Sequence, residues 1–265
     1  MQKKKLLPIL GITLICLYLI LPLFVTFIYS VNTEWKGLLP TGFTLDAYTG
    51  LFANKAFLMS IYRTIIISIA PILICTIVML LAMYVIVVYL PQIDKYVQII
   101  CTIPYAMHGI ILAVGVLGLY ANINGPLNNR IMMIVGCYCI TVLPYIYQGI
   151  KNSLIGVNAK GLIEAAQMLG ASKLYSFFVI IVPNIMNGIM ISAMLAMAII
   201  FGDFVIINTI GGGYFQTSQI FLYGVFKKSG QQASAIIIIL FVVTLLITFS
   251  VYFIKGKSKQ LKEEE

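Results

Sequence analysis

Charge is scarce in this chain. Its 265 residues include 17 Lys and Arg and 8 Asp and Glu, 9% of the sequence, against roughly 25% in an ordinary soluble domain. Histidine and tryptophan occur once each, as His108 and Trp35. So few charges cannot cover a 29.3 kDa globule with water-compatible groups, which excludes a soluble enzyme. Disorder is excluded by the opposite excess, since 61% of the residues are apolar and mean hydropathy is +1.04. Five cysteines (Cys16, Cys75, Cys101, Cys137 and Cys139) all lie in apolar runs, and an odd number so placed is no disulfide framework. Cys137 and Cys139 would point about 200° apart on a helix and cannot share an ion. With one histidine besides, no metal site and no cofactor are expected. An all-α polytopic membrane protein remains.

A helix needs about 20 apolar residues to cross ~30 Å of hydrocarbon, and six segments qualify. They are 6–31, 64–90, 96–120, 131–150, 184–210 and 233–254; the third holds only His108 and the fifth only Asp203 as ionisable groups of interest. Continuous apolar runs of this kind are not the alternating pattern of a membrane barrel, so strands are not expected. Lys3, Lys4 and Lys5 before the first run imitate a secretory signal, but the run is longer than an h-region of about 7–15 residues. It reads as an uncleaved first span.

Six spans put both termini on one side. With both inside, eleven of the 17 basic residues are cytoplasmic, including Lys95, Lys151, Lys160 and Lys173, as the positive-inside rule prefers. Topogenic charge thus explains the net charge of +9, and no basic-aromatic stretch suggests nucleic acid. Two external segments have room for structure. Residues 32–57, with Trp35, Pro40, Gly42 and Tyr48, read as a turn-rich loop ending in a short interfacial helix. Residues 211–232 open on Gly211, Gly212 and Gly213, and their apolar continuation either lies on the membrane surface or dips back into protein.

The informative segment is cytoplasmic, 151–183, reading KNSLIGVNAKGLIEAAQMLGASKLYSFFVIIVP. Leu162, Ala165, Ala166 and Leu169 recur at helical spacing and predict one apolar face. Gly170 interrupts this helix, and a second one begins near Ser172 and runs to Pro183. Two short helices about a glycine make a compact knob, and the small Ala165 and Ala166 allow another protein close.

Glu164-Ala165-Ala166, then Gly170, Ile180, Val182 and Pro183, closely resembles the EAA motif of the membrane subunits of bacterial binding-protein-dependent ABC importers, which end the motif in Leu-Pro. The likeness extends over about 58–254. Pro104 to Gly115 is similar to the family's third helix, with His108 where a proline is common. The run GDFVIINTIGGG from Gly202 to Gly213 resembles the permeases for polyamines, ferric iron, thiamine and aminoethylphosphonate. The resemblance implies a six-helix, type I (MetI-like) permease in the bacterial inner membrane: an N-terminal helix and loop (1–57), a permease core (58–254) and a charged tail (255–265). It also implies that 151–183 couples to separate ABC ATPase subunits through Glu164, Ala165, Ala166, Gly170, Ile180 and Pro183. A second permease subunit, identical or related, and an extracytoplasmic solute-binding protein complete the implied assembly.

An amphipathic helix lying on headgroups is the plainer reading of 162–169, but such helices favour a Lys/Arg-rich polar face, absent here. Asp203, costly if unpaired in a membrane, lines the solute path or serves as structural partner to Arg63, Asn208 or a main-chain amide. His108 is a candidate for the same path, with a hydrogen-bonded packing histidine the favoured alternative. Gly188, Ser192 and Ala196, and likewise Ala198 and Gly202, fit close helix contacts, either with a second subunit or internally. Gly256-Lys257-Ser258 imitates a P-loop, but Val251 replaces its first glycine and a membrane span precedes it, so ATP is expected to bind elsewhere. The rival from another class is a self-sufficient secondary transporter, which would need ion-coordinating groups near the midplane.

Overall fold

The computed structural model describes residues 3–34, 41–123, 125 and 128–263, and the side chains of 11–33, 41–123, 125 and 128–250. Trp35, Pro40 and the side chains of the basic and acidic tail therefore lie outside the described residues. In chain order the elements are α1 (Lys3–Ser30), β1 (Asn32–Glu34), β2 (Thr41–Phe43), α2 (Asp46–Ala53), α3 (Lys55–Val88), α4 (Asp94–Thr102), α5 (Gly109–Tyr120), α6 (Arg130–Gly156), α7 (Ala159–Met168), α8 (Lys173–Tyr175), α9 (Val182–Gly202), α10 (Ser218–Phe226) and α11 (Gly230–Glu263).

Among the described residues, five helical runs are long and apolar enough to cross a membrane, and six crossings result if one bent pair counts as a single span. The pair is Pro91–Ala106 with Gly109–Tyr120, bent by 99°. The third crossing expected over 96–120 is thus a broken one. Pro104 sits at the start of the tight turn Ile103–Ala106, where it removes a main-chain donor. Met107 and His108 then adopt extended backbone, with ψ of 118° and 139°.

The fifth crossing also differs from expectation. Helical backbone runs from Lys173 to Gly202 rather than over 184–210. Pro183 does not end it, because Ser176–Ile181 widens into π-helical turns directly before α9, and the Val182 amide reaches back to the Phe177 carbonyl. Local π geometry of this kind accommodates a residue that disturbs the regular ladder.

The chain divides into two compact units, residues 1–61 with 220–265, and residues 62–219. In the first, α2, the first turn of α3, α10 and α11 share an apolar core of Ala47, Leu51, Phe57, Phe221, Ala235, Ile236, Ile239 and Leu240. Phe57 and Phe221 pack at a tilt with centroids 5.4 Å apart, so α10 buries Phe221 against protein while Tyr223 and Phe226 stay exposed. Strands, not expected from the sequence, occur among the described residues as one small antiparallel pair. Asn32 pairs with Phe43 and Glu34 with Thr41, and the turn-side Thr33 hydroxyl donates to the Thr41 carbonyl at 2.8 Å.

In the second unit α6 is central. Its buried residues Ile134, Tyr138, Val142, Ile146, Ile150 and Leu154 recur every four positions and form one face. That face meets Ile185, Ile189, Ser192, Ala196 and Ile200 of α9. Where the two helices cross, a Cβ on Gly149 would collide with Ser192, and one on Gly188 would collide with Ser153. Gly188, Ser192 and Ala196 therefore serve the internal bundle, where lipid gives no hydrophobic drive and close backbone packing supplies the adhesion. The many outward Ile, Leu and Val side chains of both units suit a lipid surround.

Candidate functional site: a capped knob and two adjoining helix breaks

The segment after α6 is built to hold its shape. The Val157 and Asn158 amides close the end of α6 onto Ser153 and Ile155 at 3.1 and 3.0 Å. Asn158 takes left-handed backbone, φ 49°, which Asn tolerates better than other non-glycine residues. The chain reverses there and α7 begins at once.

The other end of α7 explains two letters of the motif. The Gly170 amide donates to the Gln167 carbonyl at 2.9 Å, and the Ala171 amide donates to the Ala166 carbonyl at 3.0 Å. Together with φ +89° at Gly170 this is a Schellman cap. Gly170 supplies the left-handed residue. A Cβ there would meet nothing within 4 Å, so its requirement is conformational rather than steric. Ala166, only 8% exposed, is the small residue under the cap. Ser172 then caps the next helix, its hydroxyl accepting from the Tyr175 amide at 3.3 Å.

The face of α7 turned inward is Ala159, Ile163 and Ala166, not the predicted Leu162, Ala165, Ala166 and Leu169. Only Ala166 of that set is buried. Met168 and Leu169 are each 90% exposed and make an apolar tip; Leu169 belongs to the apolar stripe that periodicity marks, and Met168 lies outside it. Glu164 and Ala165 are exposed. Glu164 reaches Lys160 only at 4.0 Å with both side chains mostly in solvent, an ion pair worth little. Ile180 is half-buried in the π segment and Pro183 is exposed. The return from the knob is held by aromatic packing, with Tyr84 at 5.3 Å from Phe177 and 5.7 Å from Phe178. Lys173 lies 4.9 Å over the Tyr89 ring.

A second focus lies within the unit's spans. Asp203 ends α9 and starts the next helical turn. Its Oδ2 accepts from the Ile206 and Ile207 amides at 3.1 and 3.4 Å and from the Tyr138 hydroxyl at 3.1 Å. Of the structural partners weighed from sequence, main-chain amides are found; Arg63 instead lies 5.7 Å over the Phe215 ring. Tyr138, missed in the sequence, is 65 residues away along the chain.

His108 is exposed at the break of the third span, and its side chain makes no cap to α5. The two breaks adjoin. A Cβ on Gly109 would lie 3.3 Å from Ile206 Cγ1 and 4.0 Å from Asp203 Oδ1. The structure thus brings the discontinuity at His108–Gly109 beside the one at Asp203. Beyond Asp203, Arg130 sits 4.4 Å over the Tyr214 ring and donates to the Ile210 carbonyl at 3.3 Å, tying down the glycine-rich segment.

Apolar spans, two of them interrupted, together with a capped helix that exposes an apolar tip, define a multi-span membrane protein with a surface suited to a partner protein. Residues 91–259 match the family model described as "Binding-protein-dependent transport system inner membrane component". The chain belongs to that family, and it is the permease subunit of a binding-protein-dependent ABC importer in the inner membrane. Its partners are accordingly ABC ATPase subunits, a further permease subunit and a solute-binding protein. A self-sufficient secondary transporter is thereby set aside.

Among curated relatives, the chain is 22% identical over 240 residues to the "Putative 2-aminoethylphosphonate transport system permease protein PhnV" of Salmonella typhimurium, covering 88% of each. It is 23% identical over 195 residues to the protein of the same description from Salmonella paratyphi A, covering 72% of this chain and 71% of the other. Two solved structures share the fold. One is a bacterial alginate ABC transporter in complex with an alginate pentasaccharide-bound periplasmic protein, at TM-score 0.65 and 19% identity, covering 94% and 92% of the two chains. The other is a bacterial ABC transporter involved in import of the acidic polysaccharide alginate, at TM-score 0.67 and 16% identity, covering 97% and 96%.

Proposed function

We propose that this permease imports a small zwitterionic or charged solute of the aminoethylphosphonate kind, and that a separate ATPase holds it by the α7 knob. The observation that carries the coupling reading is the tip itself. Two large apolar side chains, Met168 and Leu169, stand 90% exposed on a loop locked by a Schellman cap. Water gives no reason to display them there, and a protein cleft does. Glu164 and Ala165 flank the tip as polar and close-packing contacts, and Ala166 and Gly170 hold its shape. Ile180 and Pro183 belong to the return helix that relays its movement.

ATP hydrolysis is assigned to the partner subunit, and both termini to the knob's side of the membrane. Six crossings and the basic residues gathered near the knob (Lys95, Lys151, Lys160 and Lys173) support that orientation. The solute assignment rests on the relatives' description, and the path on the adjoining breaks at His108 and Asp203.

The test is purification of the tagged permease complex in mild detergent, with Met168→Glu/Leu169→Glu beside the parent. The parent should retain an ATPase and the double variant should lose it at unchanged expression. Retention by the variant would remove the tip from the docking role. Uptake of 2-aminoethylphosphonate by cells carrying the complete system tests the solute, and absence of uptake would refute that assignment alone.

A further inference from the structure

The second unit contains a polar cluster that neither the motif nor the span breaks account for. Lys151, on the last turns of α6, forms an ion pair with Asp94 Oδ2 at 2.9 Å. Its ammonium also donates to Gln98 Oε1 at 2.9 Å and to the Tyr147 hydroxyl at 3.0 Å. That hydroxyl in turn donates to Asp94 Oδ1 at 3.3 Å. The Lys151 side chain is only 18% exposed. A charge so placed is costly unless held, and here every ammonium proton has a partner.

The position of the cluster gives it meaning. Asp94 is the first residue of α4 and Gln98 is one turn further on the same face, so both belong to the knob-side half of the broken third span. Lys151 and Tyr147 belong to the stem that leads through Val157 and Asn158 into α7. A second link joins the same partners closer to the break, where Tyr105 meets Tyr145 edge to face at 5.2 Å. The half-span is therefore fastened to the stem at both ends by polar and ring contacts, while α5, beyond Met107 and His108, packs against Ile206 and along α6 by apolar contact. Beside the ion pair an open cleft of about 380 Å³, lined by Met83, Val87, Pro91, Leu154, Asn158 and Lys160 among others, separates α3 from the stem and the start of the knob.

We infer that Asp94 and Lys151 are positioning residues for transport: they make α4 travel with the α6 stem, so that displacement of the knob opens or closes the bend at Met107–His108. The inference rests on the reading of α7 as the ATPase-docking element. Motion would pass through one lever, α4 with α6, about one hinge, the two extended residues.

The experiment uses the whole importer in lipid nanodiscs, with Met107→Cys as reporter. Met107 is 41% exposed at the bend. Its reaction with a water-soluble maleimide is timed without nucleotide and after trapping with ATP and vanadate, the parent without the added cysteine giving the background. In the reporter protein trapping should change the rate at least about threefold. Asp94→Asn and Lys151→Met should abolish that change while the ATPase stays bound and hydrolyses ATP, and the exchanged pair Asp94→Lys/Lys151→Asp should restore it. A structural role alone would lower yield or melting temperature and leave the nucleotide response intact. An unchanged response in the single variants, or none recovered in a well-folded exchanged pair, overturns the inference. A single variant that fails to fold leaves the exchanged pair to decide. Loss of ATPase from the parent would instead refute the docking reading.

Discussion

Replacing Gly170 by alanine separates conformation from contact at the knob. Its φ of +89° lies in the left-handed region, and a Cβ there has open space for 4 Å around. The substitution thus adds no collision and changes only the backbone energy, by about 1–2 kcal/mol for an L-residue held left-handed. The bundle below should be indifferent, because α6 and α9 cross at Gly149 and Gly188 rather than here. What suffers is the Schellman cap, and with it the fraction of molecules presenting Met168 and Leu169 in docking geometry. If that fraction falls by the full strain, ATPase affinity drops at most about 5- to 30-fold, since each ~1.4 kcal/mol is a factor of ten. Asn, which accepts left-handed backbone, should recover most of the loss. The assay is titration of purified ATPase onto permease in nanodiscs, with thermal unfolding measured in parallel. Equal affinity for Gly170→Ala and the parent, or equal loss for Ala and Asn, would refute the conformational account. So would a fall in melting temperature comparable to that of a core substitution.

Three further outcomes follow from the helix crossing and the Asp203 hydrogen bonds. Gly188→Ser should place its side chain against Ser153 and destabilise the α6–α9 crossing by about 1–3 kcal/mol, as overpacking does; Gly188→Ser with Ser153→Gly should restore much of the melting temperature in detergent, and no recovery would place the strain elsewhere. Tyr138→Phe removes one donor from Asp203 and should cost about 1.5–3 kcal/mol if the carboxylate is ionised. Asp203→Asn, which keeps an acceptor for the Ile206 amide, should cost less than Asp203→Leu, and the reverse order in a thermal shift series would deny Asp203 its capping role.

Much of this was legible from residue order. The six apolar runs, the position of the knob and the need for glycine at 170 all follow from hydropathy and motif spacing. The orientation of α7 did not, because the helix is apolar on two sides: Ile163 and Ala166 face inward while Met168 and Leu169 face out, and periodicity cannot tell a core stripe from a docking stripe. The third span read as continuous because hydropathy sums composition over a window and is blind to a bend, although Pro104 marked where the ladder fails. Asp203 was correctly suspected of needing a partner, but Tyr138 is too distant in sequence to be named. Asp94 and Lys151 are invisible for the same reason: each reads as an ordinary loop charge, and only the return of α6 beside α4 brings them together.

The Schellman cap at Gly170 also bears on assembly. A docking loop that acquired its form only on contact would charge its ordering entropy to every association, about 1–2 kcal/mol per residue fixed. Here the permease meets that cost while folding on its own. A small tip can then hold a partner that a flexible loop of the same composition would release, and the ATPase can join, leave and rejoin a permease already in the membrane without remaking the surface it grips.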